Sequence, residues 1–240
     1  MAQPTNHSDR SPAPAVARLA PLRGVASPAG AKTAETSIIA PWCWSKSKRA
    51  MDIVCGLVAL PVVVVLTVLL SAVSVIVFRC NPLFVQPRRG VHENEFRVVK
   101  IRSLPKTFHH RQGKHDMHHH ELDWWSNFLR RSHLDELPQV LNIIAGSMSI
   151  VGPRPMIDEV VDTLEPDDRV TRSTVKPGLT GPWQISTVGA EPLHDHPELD
   201  NQYVEKASLA SDIRIILITA AIVFGKKPLE PKRLEELLGW

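Results

Sequence analysis

Cysteine is scarce and scattered in this chain. Cys43, Cys55 and Cys80 form no Cys-x-x-Cys pair, which leaves neither a disulfide framework nor a zinc site and fits a reducing compartment. Net charge is low as well. A formal value of +3 does not by itself imply nucleic acid, and no aromatic-interleaved basic motif accompanies the cations. Residues 1–40 have little aromatic or large aliphatic content and are rich in Ala, Pro and Ser. Such a stretch cannot bury enough surface to offset the entropy of ordering, so it reads as a disordered tail. The remainder, about 200 residues, suffices for one domain.

Charge is missing altogether from Ile53–Phe78, the longest apolar run. At about 1.5 Å per helical residue it is long enough to cross roughly 30 Å of hydrocarbon. It starts too far into the chain for an ordinary cleaved signal. Trp42 and Trp44 precede it, where interfacial tryptophans are favoured. Pro61 removes a helical hydrogen bond about a third of the way in and predicts a kink. Lys46, Lys48 and Arg49 lie before the run, and Arg79, Arg88 and Arg89 after it. Basic flanks favour the cytoplasmic side. A helix that enters, bends at Pro61 and returns satisfies both flanks; a straight span leaves one outside. Kinking prolines also occur in single spans, so physics alone leaves both topologies open. A second apolar stretch, Ile215–Phe224, is too short to span and reads as either a core helix or an interfacial one.

Basic residues cluster after the apolar run, from Arg88 through Lys100, Arg102, Lys106, Arg111 and Lys114 to Arg130 and Arg131. An anionic headgroup or phosphorylated substrate suits them better than nucleic acid. Val85–Val99 reads as a small hairpin turning after Arg88-Arg89-Gly90. His109, His110, His115, His118, His119 and His120 fall in a polar stretch without apolar periodicity, which reads as a solvated loop. Leu122, Trp125, Phe128 and Leu129 then recur at helical spacing. Ser132 stands three residues before Asp135, a capping-box spacing that would put Asp135 and Glu136 in the first turn of the next helix. Leu137, Val140, Leu141 and Ile144 would form its apolar face, and Gly146 its end. An acid in a first helical turn is an ordinary structural role. Two adjacent acids between Arg130-Arg131 and Arg154 also suit phosphate chemistry, because carboxylates can hold a divalent metal or attack phosphorus while arginines grip the anionic oxygens. Gly152-Pro153-Arg154-Pro155 fixes a rigid turn, either purely structural or aiming one guanidinium. Lys176-Pro177-Gly178-Leu179-Thr180-Gly181 is a loop of the kind that can bring backbone amides to a ligand.

In this order the pieces resemble the bacterial sugar transferase family, the monotopic polyprenyl-phosphate glycosyl-1-phosphate transferases. The matching residues are Lys48-Arg49 with Asp52, Gln86-x-Arg88-x-Gly90, Lys100-x-Arg102-Ser103, Arg130-Arg131-Ser132 and Leu134 to Gln139. They continue with Gly146-x-Met148-Ser149, Val151 to Pro155, Lys176 to Gly181, Trp183-Gln184, Tyr203-Val204 and Asp212-x-Arg214. The resemblance covers about residues 48–227.

The resemblance implies a mixed α/β, helix-dominated fold with a re-entrant N-terminal membrane helix bent at Pro61, amphipathic interfacial helices and a small β-hairpin. It divides the chain into a tail (1–40), a membrane anchor (41–80), a cytoplasmic catalytic domain (81–227) and a C-terminal tail (228–240). It implies transfer of a sugar 1-phosphate from a nucleotide diphosphate sugar, a UDP-sugar by expectation, to polyprenyl phosphate. The place is the cytoplasmic face of a bacterial inner membrane, with lipid as a partner and no nucleic acid. Asp135 becomes the nucleophile of a covalent aspartyl phosphosugar. Glu136 and Asp135 become the Mg²⁺ ligands, and Lys100, Arg102, Arg131 and Arg154 the phosphate-binding cations. The sequence departs from the family at three points. Ser147 replaces the usual acid of Gly-Asp-Met-Ser, no arginine follows Trp183-Gln184-Ile185-Ser186, and Leu104 stands where methionine is usual. These leave a second reading, a catalytically impaired homologue that binds lipid or assembly partners. The four-helix N-terminal membrane domain of some larger relatives has no counterpart here, so a minimal catalytic unit is expected.

Overall fold

A computed structural model describes residues 39–105 and 123–240. Of the expected tail 1–40, residues 1–38 lie outside the described residues, as do the histidine-rich stretch and Leu122, while Ala40 is buried in the core. A long helix opens the fold, α1 (Lys46–Phe78). A hairpin follows, β1 (Leu83–Arg89) and β2 (Glu95–Ile101). Next come α2 (Trp124–Ser132), a 3-10 segment (Leu134–Gln139) that runs into α3 (Val140–Ala145), and β3 (Ser149–Val151). Short elements succeed them: α4 (Asp158–Val161), α5 (Pro166–Ser173), β4 (Gly178–Thr180) and α6 (Pro182–Ile185). The chain closes with α7 (Glu198–Lys206), α8 (Leu209–Val223) and α9 (Pro231–Leu238). Helix dominates, as expected, with two small two-stranded sheets.

Helix α1 starts at Ser45, whose hydroxyl accepts from the Lys48 amide at 3.0 Å, and continues unbroken through Pro61. Among the described residues it is the one helix long and apolar enough to cross a membrane. Its middle is open: Leu57, Val58, Val62, Val65, Val68 and Leu69 are all more than half exposed. Each end buries some of its side chains against the rest of the fold, though Val54 and Ile76 stay exposed. Near the start, Asp52 is buried and accepts from the Ser149 hydroxyl and the Ile150 amide, both at 3.0 Å. Near the end, Leu70, Val73 and Phe78 pack on Ile101, Trp125 and Leu129. There the buried Ser74 hydroxyl receives the Trp125 indole N–H at 2.9 Å. Both ends therefore dock on the same globular body.

The hairpin forms antiparallel, Leu83 opposite Ile101 and Arg89 opposite Glu95. It extends two residues beyond Val85–Val99 at each end, because the ladder holds wherever strand partners remain. The core lies behind it. Val151, Ile185, Tyr203, Val204, Ile215, Leu234 and Leu238 form its largest cluster, so residues 228–240, expected as a tail, contribute a packed helix. Trp42 also turns inward. Its indole donates to Asp212 at 2.8 Å, because a buried carboxylate needs donors more than the interface needs this ring. Trp44 stays half exposed.

The capping box at Ser132 does not form. Ser132 ends α2, its hydroxyl donating to the Phe128 carbonyl at 2.7 Å, and His133 takes a left-handed φ of 55°. Asp135 and Glu136 do occupy a first turn, but of a 3-10 helix. That tighter winding shifts the helical phase. Leu141 consequently faces outward at 53% exposure, and Ile143 takes the buried place beside Val140. Gly146 ends α3 at φ +94°.

Strands β3 and β4 run parallel, Ser149 opposite Gly178 and Val151 opposite Thr180. Two loops cross there at close range. A Cβ on Gly178 would lie 2.1 Å from the Gly152 amide nitrogen, so nothing larger than glycine fits. Gly178→Ala is expected to cost about 3 kcal/mol or more, read as a clear fall in Tm; a wild-type Tm would contradict the crossing.

Candidate active site

Four elements converge on Glu136. Strand β2 supplies Lys100, whose ammonium donates to Glu136 Oε1 at 2.6 Å. The turn after β3 supplies Arg154, whose Nη2 lies 3.3 Å from the same oxygen. Strand β1 supplies Arg88, which donates to the Pro155 carbonyl at 3.1 Å and to Gln86 Oε1 at 2.6 Å. The 3-10 segment supplies the two acids. Arg88, Lys100, Glu136, Gln139, Arg154 and Leu179 line a small cleft. Asp135 is buried beside it, and the Ser103 hydroxyl points to its Oδ2 at 3.4 Å.

The two acids sit in different electrostatic surroundings. Burial, and then the charge of Glu136, push Asp135 up to about 6, against the pull of Lys100, Arg130 and Arg154. Burial acts on Glu136 too, but Lys100 and Arg154 outweigh it and hold Glu136 well below the usual carboxylate range. One acid thus stays ionised throughout while its neighbour titrates near neutrality. Paired groups with separated affinities for the proton are a mark of chemical sites. Lys100 is lowered by burial and by Arg88 and Arg154, with Glu136 opposing.

Arg154 is aimed by a buried ion pair. Asp200 accepts from Arg172 at 2.7 Å and from the Arg154 amide at 3.4 Å. Arg172 also donates to the Arg154 carbonyl at 3.1 Å. Both side chains are almost wholly shielded. The Lys176–Gly181 loop helps from the other side, though not as an amide donor to ligand at its start: the Gly178 N–H goes to the Pro153 carbonyl at 2.8 Å. The loop braces the turn.

Two of the expected phosphate-binding cations stand elsewhere. Arg102 donates to the Asn81 carbonyl at 2.9 Å and stacks 5.5 Å from the Phe84 ring centroid. Strand β2 ends at Ile101, so the alternation that turns Lys100 to the cleft does not carry Arg102 there. Arg131 is exposed, and among the described residues no hydrogen bond or ion pair joins it to either acid. Its neighbour Arg130 bears on Asp135 instead. Ser147, at the position of the family's usual acid, exchanges hydrogen bonds with Asn142. Arg88 and Ser103 stand in the matching motifs Gln86-x-Arg88-x-Gly90 and Lys100-x-Arg102-Ser103, but sequence reasoning gave neither a site role, and it did not single out the Arg172–Asp200 pair. The pair joins positions too far apart in the chain to suggest each other.

Magnesium typically takes one or two protein carboxylates and completes its shell with water and substrate phosphate. Both bonds to Glu136 fall on Oε1, which leaves Oε2 for an ion among the described residues. The donor set fits, although among the described residues no cluster of three or more metal-ligating side chains exists.

A long apolar helix docked on the globular body and a pair of acids beside a cation-lined cleft fit a membrane-associated protein. The sequence model of the family described as Bacterial sugar transferase matches residues 43–226, and the chain belongs to that family. It is similar to a UDP-glucose:undecaprenyl-phosphate glucose-1-phosphate transferase of Xanthomonas campestris pv. campestris, 37% identical over 169 residues, which is 65% of this chain and 34% of the relative. A like-named protein of Escherichia coli (strain K12) is 33% identical over 196 residues, 75% of this chain and 40% of the relative. The uncharacterized sugar transferase EpsL of Bacillus subtilis (strain 168) is 31% identical over 174 residues, 72% of this chain and 84% of the relative. The chain thus spans 34% of the Xanthomonas relative's length and 40% of the Escherichia coli one.

Asp135 carries a linkage prediction. Its pKa is raised from 3.8 to about 6, so its protonated form favours folding. That contribution is complete below pH 4 and is lost as pH rises through 6. Asp135→Asn is therefore expected to be more stable than wild type at pH 8, by roughly 3 kcal/mol at 1.4 kcal/mol per unit. The difference should fade toward pH 4. Thermal unfolding across that range tests it, and a less stable variant at pH 8 would contradict it. Burial raises the Asp200 carboxyl too, but Asp200 is paired directly with Arg172, so Asp200→Asn should be less stable than wild type at pH 8. It leaves Arg172 buried without its countercharge, at a cost of about 3–5 kcal/mol.

Proposed function

We propose that this protein is a phosphoglycosyl transferase that moves a sugar 1-phosphate from a nucleotide diphosphate sugar to polyprenyl phosphate. The reading rests on family membership and on one observation, the unequal pair Asp135 and Glu136 in a cleft lined by cations. Undecaprenyl phosphate and UDP-glucose in the relatives' names make them the first substrates to try. The product would start exopolysaccharide, capsule or O-antigen assembly.

Asp135 is the nucleophile in this reading. Above pH 6 its carboxylate is ionised and needs no separate base. An Asp135 oxygen attacks the phosphorus attached to the sugar, the bond to the second phosphate breaks, and nucleoside monophosphate leaves. The phosphate oxygen of the polyprenyl carrier then attacks the same phosphorus and frees the Asp135 carboxylate. A carboxylate approaching an anionic diphosphate is repelled unless cations intervene. Lys100 and Arg154 provide them, and the Arg172–Asp200 pair keeps Arg154 in place. Mg²⁺, when bound, would neutralise charge on the donor's phosphates. Glu136, ionised at every working pH, would hold it, together with Asp135.

We place the protein on the cytoplasmic face of the inner membrane. A helix whose two ends dock on one body, with an apolar middle that contains Pro61, supports a re-entrant anchor. Trp124 and Phe128 of α2, with Leu217, Val223 and Phe224 of α8, are exposed apolar groups suited to the lipid interface. Helix α8 buries Ile215 in the core and exposes Leu217.

Purified protein in lipid nanodiscs, given a panel of UDP-sugars, Mg²⁺ and undecaprenyl phosphate, should release uridine monophosphate with one donor. Asp135→Asn should reduce release and covalent labelling by donor at least a thousandfold while leaving membrane association intact. Turnover by that variant would remove Asp135 from the nucleophile's role. Silence of the wild type with every donor would favour the lipid- or partner-binding reading. For topology, Ser47→Cys and Asn81→Cys in a cysteine-free background should both resist membrane-impermeant labelling from outside intact cells. Labelling of either one would exclude the re-entrant path.

A further inference from the structure

Arg88 is a charge without a countercharge. Among the described residues it enters no ion pair, and its hydrogen bonds go to two neutral oxygens, on Pro155 and Gln86. Its Nε is shielded from solvent and has no partner. The most deeply shielded cations are matched to acids, Lys48 to Asp212 and Arg172 to Asp200, and Arg49, which has no acid, caps two carbonyls. Arg88 instead lines the cleft with Lys100 and Arg154, where three cations face the single carboxylate of Glu136. Buried like charges repel, and a guanidinium with an idle N–H loses solvation without recompense. Burial and the charge of Arg154 push Arg88 down to about 10. A fold would discard such a group unless something else arrives to satisfy it.

We propose that Arg88 is a substrate-contacting residue of the cleft, which donates its free N–H to the diphosphate of the nucleotide sugar and completes a three-cation cradle with Lys100 and Arg154. Even with Asp135 and Glu136 both ionised, the cations Arg88, Lys100 and Arg154 leave the cleft net positive, and a bridging diphosphate is anionic. A planar guanidinium also suits this position better than an ammonium would, since it can bond Pro155, Gln86 and a phosphate oxygen together in fixed directions. Because Arg88 is anchored to Pro155, it moves with the turn that carries Arg154. Two of the three cations are therefore spaced by one rigid unit, which favours a two-phosphate ligand over a single phosphate.

This inference rests on the transferase reading for its natural ligand, but its test does not need turnover. The full chain in nanodiscs is titrated with inorganic pyrophosphate and with inorganic phosphate by calorimetry, as wild type, Arg88→Lys and Arg88→Gln. Wild type should bind pyrophosphate at least tenfold tighter than phosphate. Arg88→Gln should weaken pyrophosphate at least tenfold, and Arg88→Lys by an intermediate factor, because it keeps the charge and loses the fork. A structural arginine and a ligand-binding one differ in the Tm without ligand. The proposal expects Arg88→Gln to match or exceed wild type there, since it relieves repulsion. A fall of several degrees would assign Arg88 to the scaffold and overturn the proposal. So would equal pyrophosphate affinity in Arg88→Gln and wild type, or absence of pyrophosphate binding by wild type. If pyrophosphate binding behaves as expected but no donor turns over, Arg88 keeps its role and the transferase reading fails. If a donor turns over with an unchanged KM in Arg88→Lys and Arg88→Gln, the transferase reading stands and this proposal falls.

Discussion

Two neighbouring carboxylates cannot leave water and both stay charged unless cations are brought to them. Glu136 is where this protein meets that constraint. Lys100 from the hairpin and Arg154 from the turn after β3 converge on one of its oxygens, so a single ion cluster fixes the spacing of elements far apart in the chain. Among the described residues Asp135, next along, receives no direct ion pair. It is left with burial and a charged neighbour, and so holds its proton to a higher pH. The unequal pair is less a property of the two residues than of which one the cations reach.

The same economy governs the rest of the charged interior. Asp212 collects Lys48, Trp42 and Tyr203. Asp52 ties α1 to β3. Asp200 and Arg172 hold the backbone of Arg154 on both sides. These groups join helices to the two short strands, where few side chains remain to pack. Ionic contacts take over where the apolar core thins, and they fix directions that hydrophobic contacts would leave loose.

What sequence revealed was mostly local. The uncharged run of α1, the hairpin around Gly90 and the Gly-Pro-Arg-Pro turn each declare themselves within a few residues. Asp135 and Glu136 stood out because they are adjacent. Long-range pairing was not legible: Arg172 and Asp200 lie 28 positions apart, and neither has a local pattern that names the other. Phase was the second obstacle. The 3-10 winding of Leu134–Gln139 sends Leu141 outward and Ile143 inward, and nothing in an apolar count separates the two. The choice between Arg130 and Arg131 fails for the same reason. Ser132 misled because its spacing to Asp135 fits a cap, whereas the left-handed His133 between them breaks the geometry a cap needs.

Arg49 gives the anchor a second consequence. Its guanidinium donates to the last carbonyls of α3, Ile143 at 2.6 Å and Ile144 at 2.7 Å. The acids lie just ahead of that helix. The apolar rod α1 and the end of the domain that carries the two acids therefore share a backbone brace. Trimming the chain at residue 79 would strand those carbonyls along with Asp212 and the Ile150 amide. A water-soluble version would have to keep the rod's first turns and recolour its greasy middle with polar side chains.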